Sequence, residues 1–153
     1  TRKEAKEKTF ESENMEDALI GKRFLLVEDN EINRQIATEM LEMLGATVEI
    51  AVNGRQAVDA VCSHPALYYD IVFMDIQMPV LNGYDAAREI RSSGMERINE
   101  LPIIAMTADA FAEDANRAHL AGMDGHLAKP VSIDQLKQAL SRCLVWKREN
   151  RVQ

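Results

Sequence analysis

Phe24-Leu25-Leu26-Val27-Glu28-Asp29-Asn30-Glu31-Ile32 decides how the chain folds. Four apolar residues in a row, without alternation, read as a short strand buried on both faces. The run stops on two acids. Ile32, Ile36, Met40, Met43 and Leu44 then recur at helical spacing, which predicts a helix with that stripe against the core. Gly45 ends it. A buried strand followed by an amphipathic helix is one βα unit.

Working outward, the unit repeats. Thr47-Val48-Glu49-Ile50-Ala51 predicts the second strand, and Asn53 with Gln56 forms a capping pair that starts a helix running to about Ser63. Ile71-Val72-Phe73-Met74 is a third strand, followed past Pro79 and Gly83 by a helix through Ala86, Ala87 and Ile90 that ends near Gly94. Pro102 opens a fourth strand, Ile103-Ile104-Ala105-Met106, where proline is tolerated at the first position. A helix from about Phe111 to Ala121 follows, with Gly122 as its stop. Gly125-His126-Leu127-Ala128 is a fifth, weaker strand. Ser132 and Gln135 cap a last helix whose stripe is Ile133, Leu136, Leu140 and Leu144. Five βα units predict an α/β fold: a doubly wound parallel sheet with helices on both faces.

Composition bounds the function. The chain has 153 residues and a net charge of −7, with 46% hydrophobic and 28% charged residues. That is a globular domain without the basic face that nucleic acid requires, so no nucleic-acid partner is expected. No apolar run approaches the ~20 residues of a membrane span, so no membrane contact is expected either. Two cysteines, Cys62 and Cys143, are too few for a disulfide framework. The opening Thr1, in place of Met, is expected of a piece of a longer protein. Residues 1–20, rich in Lys and Glu, are expected to be a flexible linker. The domain proper is placed at 21–147, with a basic tail at 148–153.

The polar residues that matter stand at strand ends. In an open parallel sheet, ligands bind beyond the carboxyl ends of the strands. Glu28 and Asp29 close the first strand, Asp75 the third and Thr107 the fourth, and Lys129 follows the fifth. Taken singly, each has an ordinary explanation as a helix cap, a turn residue or a loop. Their joint arrival at one rim does not. Three carboxylates repel one another unless something positive neutralises them. Lys129 supplies one charge, and a hard divalent cation, Mg²⁺ or Mn²⁺, suits the all-oxygen remainder. Cation, lysine and carboxylate together form a phosphoryl-transfer arrangement, with Asp75 as the natural nucleophile.

At this point the sequence resembles a family. Leu26-Val27-Glu28-Asp29-Asn30, Met74-Asp75-Ile76-Gln77-Met78-Pro79, Gly83, Met106-Thr107-Ala108 and Lys129-Pro130 match, in order, the receiver domains of two-component response regulators and hybrid histidine kinases. The resemblance implies a flavodoxin-like doubly wound sheet of five parallel strands in the order 2-1-3-4-5, with five helices. It implies that Asp75 accepts a phosphoryl group from phosphohistidine. Asp29 would ligate Mg²⁺ directly and Glu28 mainly through water, with Asp75 and the backbone carbonyl of Gln77 completing the protein ligands. Lys129 would pair with the phosphoryl oxygens, and Thr107 would turn its hydroxyl onto them. The peptide bond before Pro130 is expected to be cis. Gln77 and Asp109 would tune the lifetime of the phosphoryl group.

Two positions depart from the common pattern. Glu28 stands where many members carry Asp. His126 stands where many carry Tyr or Phe as a switch residue, and it adds a titratable edge there. The wording Asn30-Glu31-Ile32-Asn33 and Asp75-Ile76-Gln77-Met78-Pro79 resembles receivers of hybrid sensor kinases. That implies a phosphorelay, with a histidine kinase domain and a histidine phosphotransfer domain as partners. It also implies a bacterial, cytoplasmic setting, with the parent protein anchored in the inner membrane. The output surface, and a weak homodimer, would use the last helical face, near residues 109–121, His126 and 132–144. A stand-alone response regulator is the alternative. A haloacid-dehalogenase-like phosphatase also uses Asp, Thr, Lys and Mg²⁺, but it needs a second Asp two residues after the nucleophile, where this chain has Gln77.

Overall fold

The computed structural model describes residues 19–108, 112–129 and 131–152, with backbone alone for 112–114 and 144–152. Its elements are β1 (Arg23–Val27), α1 (Glu31–Met43), β2 (Thr47–Ala51), α2 (Gly54–Cys62), β3 (Ile71–Asp75), α3 (Gly83–Arg91), a 3₁₀ turn (Ile98–Glu100), β4 (Ile103–Thr107), α4 (Ala112–Leu120), β5 (Gly125–Ala128) and α5 (Ile133–Val152). The strands form one sheet in the order β2-β1-β3-β4-β5, and every pairing is parallel.

The unbroken apolar runs follow from this arrangement. Side chains alternate between the two faces of a strand, and both faces are covered. Leu25, Val27, Val72, Met74, Ile103 and Ala105 point to the α2–α3 side, where they meet Ala57, Val61, Ala87 and Ile90. Phe24, Leu26, Ile71, Phe73, Ile104 and Met106 point to the α1–α5 side, where they meet Ala37, Leu41, Leu136 and Leu140. There the rings of Phe24 and Phe73 meet edge to face at 5.8 Å.

Local chemistry sets the helix starts. Asn30, Asn53 and Asn82 each accept a hydrogen bond from the backbone N–H three residues on, at 3.0, 2.8 and 2.9 Å. Ser132 and Gln135 form the expected reciprocal pair, each at 3.2 Å. Each such cap contributes about 1 kcal/mol.

Three expectations need correction. The stripe predicted for α1 is rotated by one residue, about 100° around the helix. Ala37 and Leu41 are buried, whereas Ile32 is 68% exposed, Ile36 46% and Met43 73%; of the predicted stripe, Leu44 is buried and Met40 is partly so. Two stripes overlap in this sequence, and the one carrying small Ala37 wins because it lets the helix lie close to the sheet. Leu19, left in the 1–20 linker, is fully buried among the residues facing α1 and α5. α5 runs on to Val152, through the boundary drawn at 147/148. Among the described side chains of that helix Leu136, Leu140 and Cys143 are buried and Ile133 is only partly covered, while the Leu144 side chain of the predicted stripe lies outside them.

Candidate functional site

The ends of β1, β3 and β4 and the start of the segment after β5 meet in a cleft of about 180 Å³. Glu28, Asp29, Asp75, Gln77, Thr107 and Lys129 all line it, so the sheet delivers to one rim the residues singled out in the sequence. Backbone pairing fixes the placements. Glu28 N–H donates to Ala51 O at 3.1 Å, which continues β1 beyond its last ladder residue. Asp75 is the last residue of β3 and stands opposite Met106, and Ile76 N–H donates to Met106 O at 3.1 Å. Lys129 N–H donates to Thr107 O at 2.8 Å, which ties the lysine to the strand that carries the threonine.

Among the described residues Glu28 and Asp75 are the two buried acids, and one cation joins them. Lys129 Nζ lies 2.9 Å from Glu28 Oε2 and 2.8 Å from Asp75 Oδ1. Glu28 Oε1 also accepts from the Asn30 N–H at 3.2 Å. The Asp75 carboxyl is raised to about 6, chiefly by burial and further by the charge of Glu28, against the downward pull of the Lys129 bond. Burial also works against the Lys129 charge, but the bonds to Asp75 and Glu28 outweigh it and leave the ammonium above its ordinary value.

Glu28, Asp29 and Asp75 each offer a carboxylate oxygen, and these three atoms lie within 4.8 Å of one another. Three carboxylates against one ammonium leave an excess of two negative charges in the cleft. A hard divalent ion is the counter-charge this donor set fits, and an open cleft leaves room for its waters.

Four more residues line the cleft without having been given a role in it: Ile76 and Ala108, and the polar Asn30 and Asn33. Asn30 caps α1, and Asn33 lies one turn further on; the capping pattern is the signal that could have found them. Arg34 also comes close, donating to the Glu28 carbonyl at 3.2 Å. His126 stands apart from the cleft. It is exposed on β5, in register with Ala105, and lines a larger cleft of about 510 Å³ between β5 and α5. Asp109 and Pro130 lie outside the described residues.

Fold and cleft together place the chain among doubly wound α/β domains whose strand ends gather acids around a lysine. The response regulator receiver domain family matches residues 24–141, and the chain belongs to it. It is 39% identical to Histidine kinase 5 of Arabidopsis thaliana over 146 residues, covering 80% of this chain and 16% of that protein. Among solved structures it resembles the receiver domain of the sensor histidine kinase PA1611 from Pseudomonas aeruginosa PAO1, which has a magnesium ion coordinated in its active-site cleft. That likeness has 40% identity and a TM-score of 0.70, and covers 79% of this chain and 95% of that one. It also resembles the Saccharomyces cerevisiae complex of the histidine phosphotransfer protein Ypd1 with the receiver domain of its downstream response regulator Ssk1. There the identity is 32% and the TM-score 0.70, with coverage of 78% and 86%.

The chain is thus a response regulator receiver domain, similar to those of hybrid histidine kinases. Its curated relatives include plant, fungal and slime-mould proteins, which do not support the expected bacterial source. Among the described residues, no helix is long and apolar enough to cross a membrane.

Proposed function

We propose that Asp75 accepts a phosphoryl group from a phosphohistidine and that the chain passes it to a histidine phosphotransfer domain. The observation that carries this is the Lys129 bridge between Glu28 and Asp75 in a cleft with room for a metal ion. An Asp75 oxygen attacks phosphorus, the P–N bond breaks as the P–O bond forms, and the neutral imidazole leaves. Mg²⁺, or Mn²⁺ in its place, held by Asp29, Asp75, the Gln77 carbonyl and, through water, Glu28, would supply charge stabilisation to the phosphoryl oxygens. Lys129 releases Glu28 and follows the phosphoryl group. Thr107 closes on it from β4. Gln77, which lines the cleft, and Asp109 tune how long the acyl phosphate lasts.

The parent on this reading is a hybrid histidine kinase, with the residues before Leu19 linking its kinase core to the receiver. The Arabidopsis relative is a histidine kinase of which this chain matches 16%. The partner face is α1. Ile32, Ile36 and Met43 form an exposed stripe along it, and Ile36 also lines a groove that reaches Glu28 and Lys129. A phosphotransfer domain seated on that stripe brings its histidine to the cleft.

The test is incubation with a small phosphodonor and Mg²⁺, read by intact mass. One added phosphoryl group is expected on wild type and Asp70→Asn, and none on Asp75→Asn. Equal labelling of wild type and Asp75→Asn overturns the assignment.

A further inference from the structure

The segment from Ile76 to Asn82 connects the cleft to the start of α3. At its near end Gln77 lines the cleft. Its far end is held by the Leu81 side chain, which packs against the core on the α2–α3 side, and by backbone hydrogen bonds. Gly83 N–H donates to Ile76 O at 2.9 Å, and Leu81 N–H donates to Pro79 O at 2.8 Å. The second bond closes a three-residue turn around Val80, whose φ is +71°. A β-branched residue in that region is strained, and surrounding structure must hold it there.

Part of that hold comes from α2. Gly54 is its first residue, so its N–H has no partner within the helix. That N–H donates to Leu81 O at 3.1 Å. The approach leaves no room for a side chain. A Cβ on Gly54 would run into the Leu81 carbonyl oxygen and would lie 2.9 Å from Leu81 C and 3.0 Å from Leu81 Cβ. These are largely backbone atoms that cannot swing aside. Nor can α2 retreat, because Ala57, Val58 and Val61 anchor it in the core. The loop, with Pro79 and Val80 exposed, is what must yield.

We infer that Gly54 is a positioning residue for the metal site: through Leu81 it sets where the loop presents Gln77 to the cleft. The inference rests on the reading of the cleft as a Mg²⁺ site, and it extends that site to a residue on another helix. Gly54 has no positive φ, so a substitution there acts through space and not through backbone strain.

The test is a Mg²⁺ titration, without phosphodonor, of wild type, Gly54→Ala, Leu81→Ala and Asn53→Ala, followed by backbone amide NMR alongside thermal unfolding. Gly54→Ala is expected to raise the Mg²⁺ dissociation constant ~10-fold, as lost outer supports of metal sites do. Leu81→Ala, which loosens the same loop end without adding atoms, is expected to shift it in the same direction and decides the matter if Gly54→Ala fails to fold. Asn53→Ala removes the α2 cap, so its melting temperature falls while its Mg²⁺ affinity stays within twofold of wild type. Alanine is otherwise favoured over glycine in a helix. A folded Gly54→Ala that binds Mg²⁺ like wild type overturns the inference, as does an unshifted Leu81→Ala. No saturable binding by wild type overturns the Mg²⁺ reading of the cleft and the inference with it.

Discussion

Lys129 holds Asp75 and Glu28 at once, its ammonium nitrogen 2.8 Å from one carboxylate and 2.9 Å from the other. One flexible cation therefore neutralises both buried acids of the cleft. Lys129→Met removes it and leaves like charges facing each other. In metal-free buffer at pH 7.5 the variant is expected to lose roughly 1–3 kcal/mol of stability, the cost of stranding buried polar groups. Added Mg²⁺ should stabilise the variant more than it stabilises wild type. Urea unfolding with chelator and with Mg²⁺ measures both effects.

Asp75 makes stability depend on pH. Its folded value, about 6, lies above the ordinary aspartate value of 3.8. The folded state thus binds this proton more tightly than the unfolded chain does. The contribution is fully present below the unfolded value and is lost as pH rises through about 6. In chelator, Asp75→Asn is expected to flatten the fall in stability between pH 4 and 7.5, by about 2 kcal/mol at most. Paired urea curves at the two pH values test this. Because metal and proton compete for the same oxygens, Mg²⁺ affinity should also weaken below about pH 6.

The exposed and buried stripes of α1 should behave oppositely. Leu41 is fully buried, so Leu41→Ala is expected to cost about 2–5 kcal/mol. Ile32→Ser and Ile36→Ser remove exposed apolar groups, and stability should change by about 0.5 kcal/mol or less. Labelling by a small phosphodonor should be unchanged in both serine variants, while transfer to a histidine phosphotransfer domain slows. Transfer at the wild-type rate in the double variant moves the partner surface off α1.

Fold and chemistry were legible to different depths. Continuous runs such as Ile71–Met74, short, rich in strand formers and alternating with helical stripes, read as strands covered on both faces, so the sheet followed from them. Glu28, Asp75, Thr107 and Lys129 were legible because a parallel sheet sends its strand ends to one rim. The α1 face was not, since Ile32 and Leu41 both fit a helical period and only packing chooses between them. Nor was Leu19, one of a few scattered apolar residues in a charged leader, since its burial depends on packing among residues that face α1 and α5. The Gly54–Leu81 contact spans 27 residues, and no local pattern announces it.

Arg91 joins three segments that meet on the far side of α3. Its Nε donates to Gly122 O at 2.8 Å, and its two terminal nitrogens donate to Ile98 O at 2.6 Å and to Asp124 Oδ2 at 2.9 Å. The same Asp124 oxygen accepts from the Ile103 N–H at 2.9 Å, so the guanidinium ties the 3₁₀ turn, the entry to β4 and the turn before β5. Gly122, at φ +93°, lies against the arginine stem, where a Cβ would sit 2.7 Å from Arg91 Cγ. Arg91→Ala strands two carbonyls and a carboxylate together, and is expected to cost roughly 2–4 kcal/mol. Arg91→Lys reaches one of these acceptors at a time, and should recover less than half of that loss. None of the three segments contributes a carboxylate to the cleft, so the Mg²⁺ affinity of the folded Arg91→Lys variant should match wild type. Denaturant unfolding beside a Mg²⁺ titration separates this structural tie from the loop support at Gly54: the first lowers stability and spares the metal, the second moves the metal constant itself.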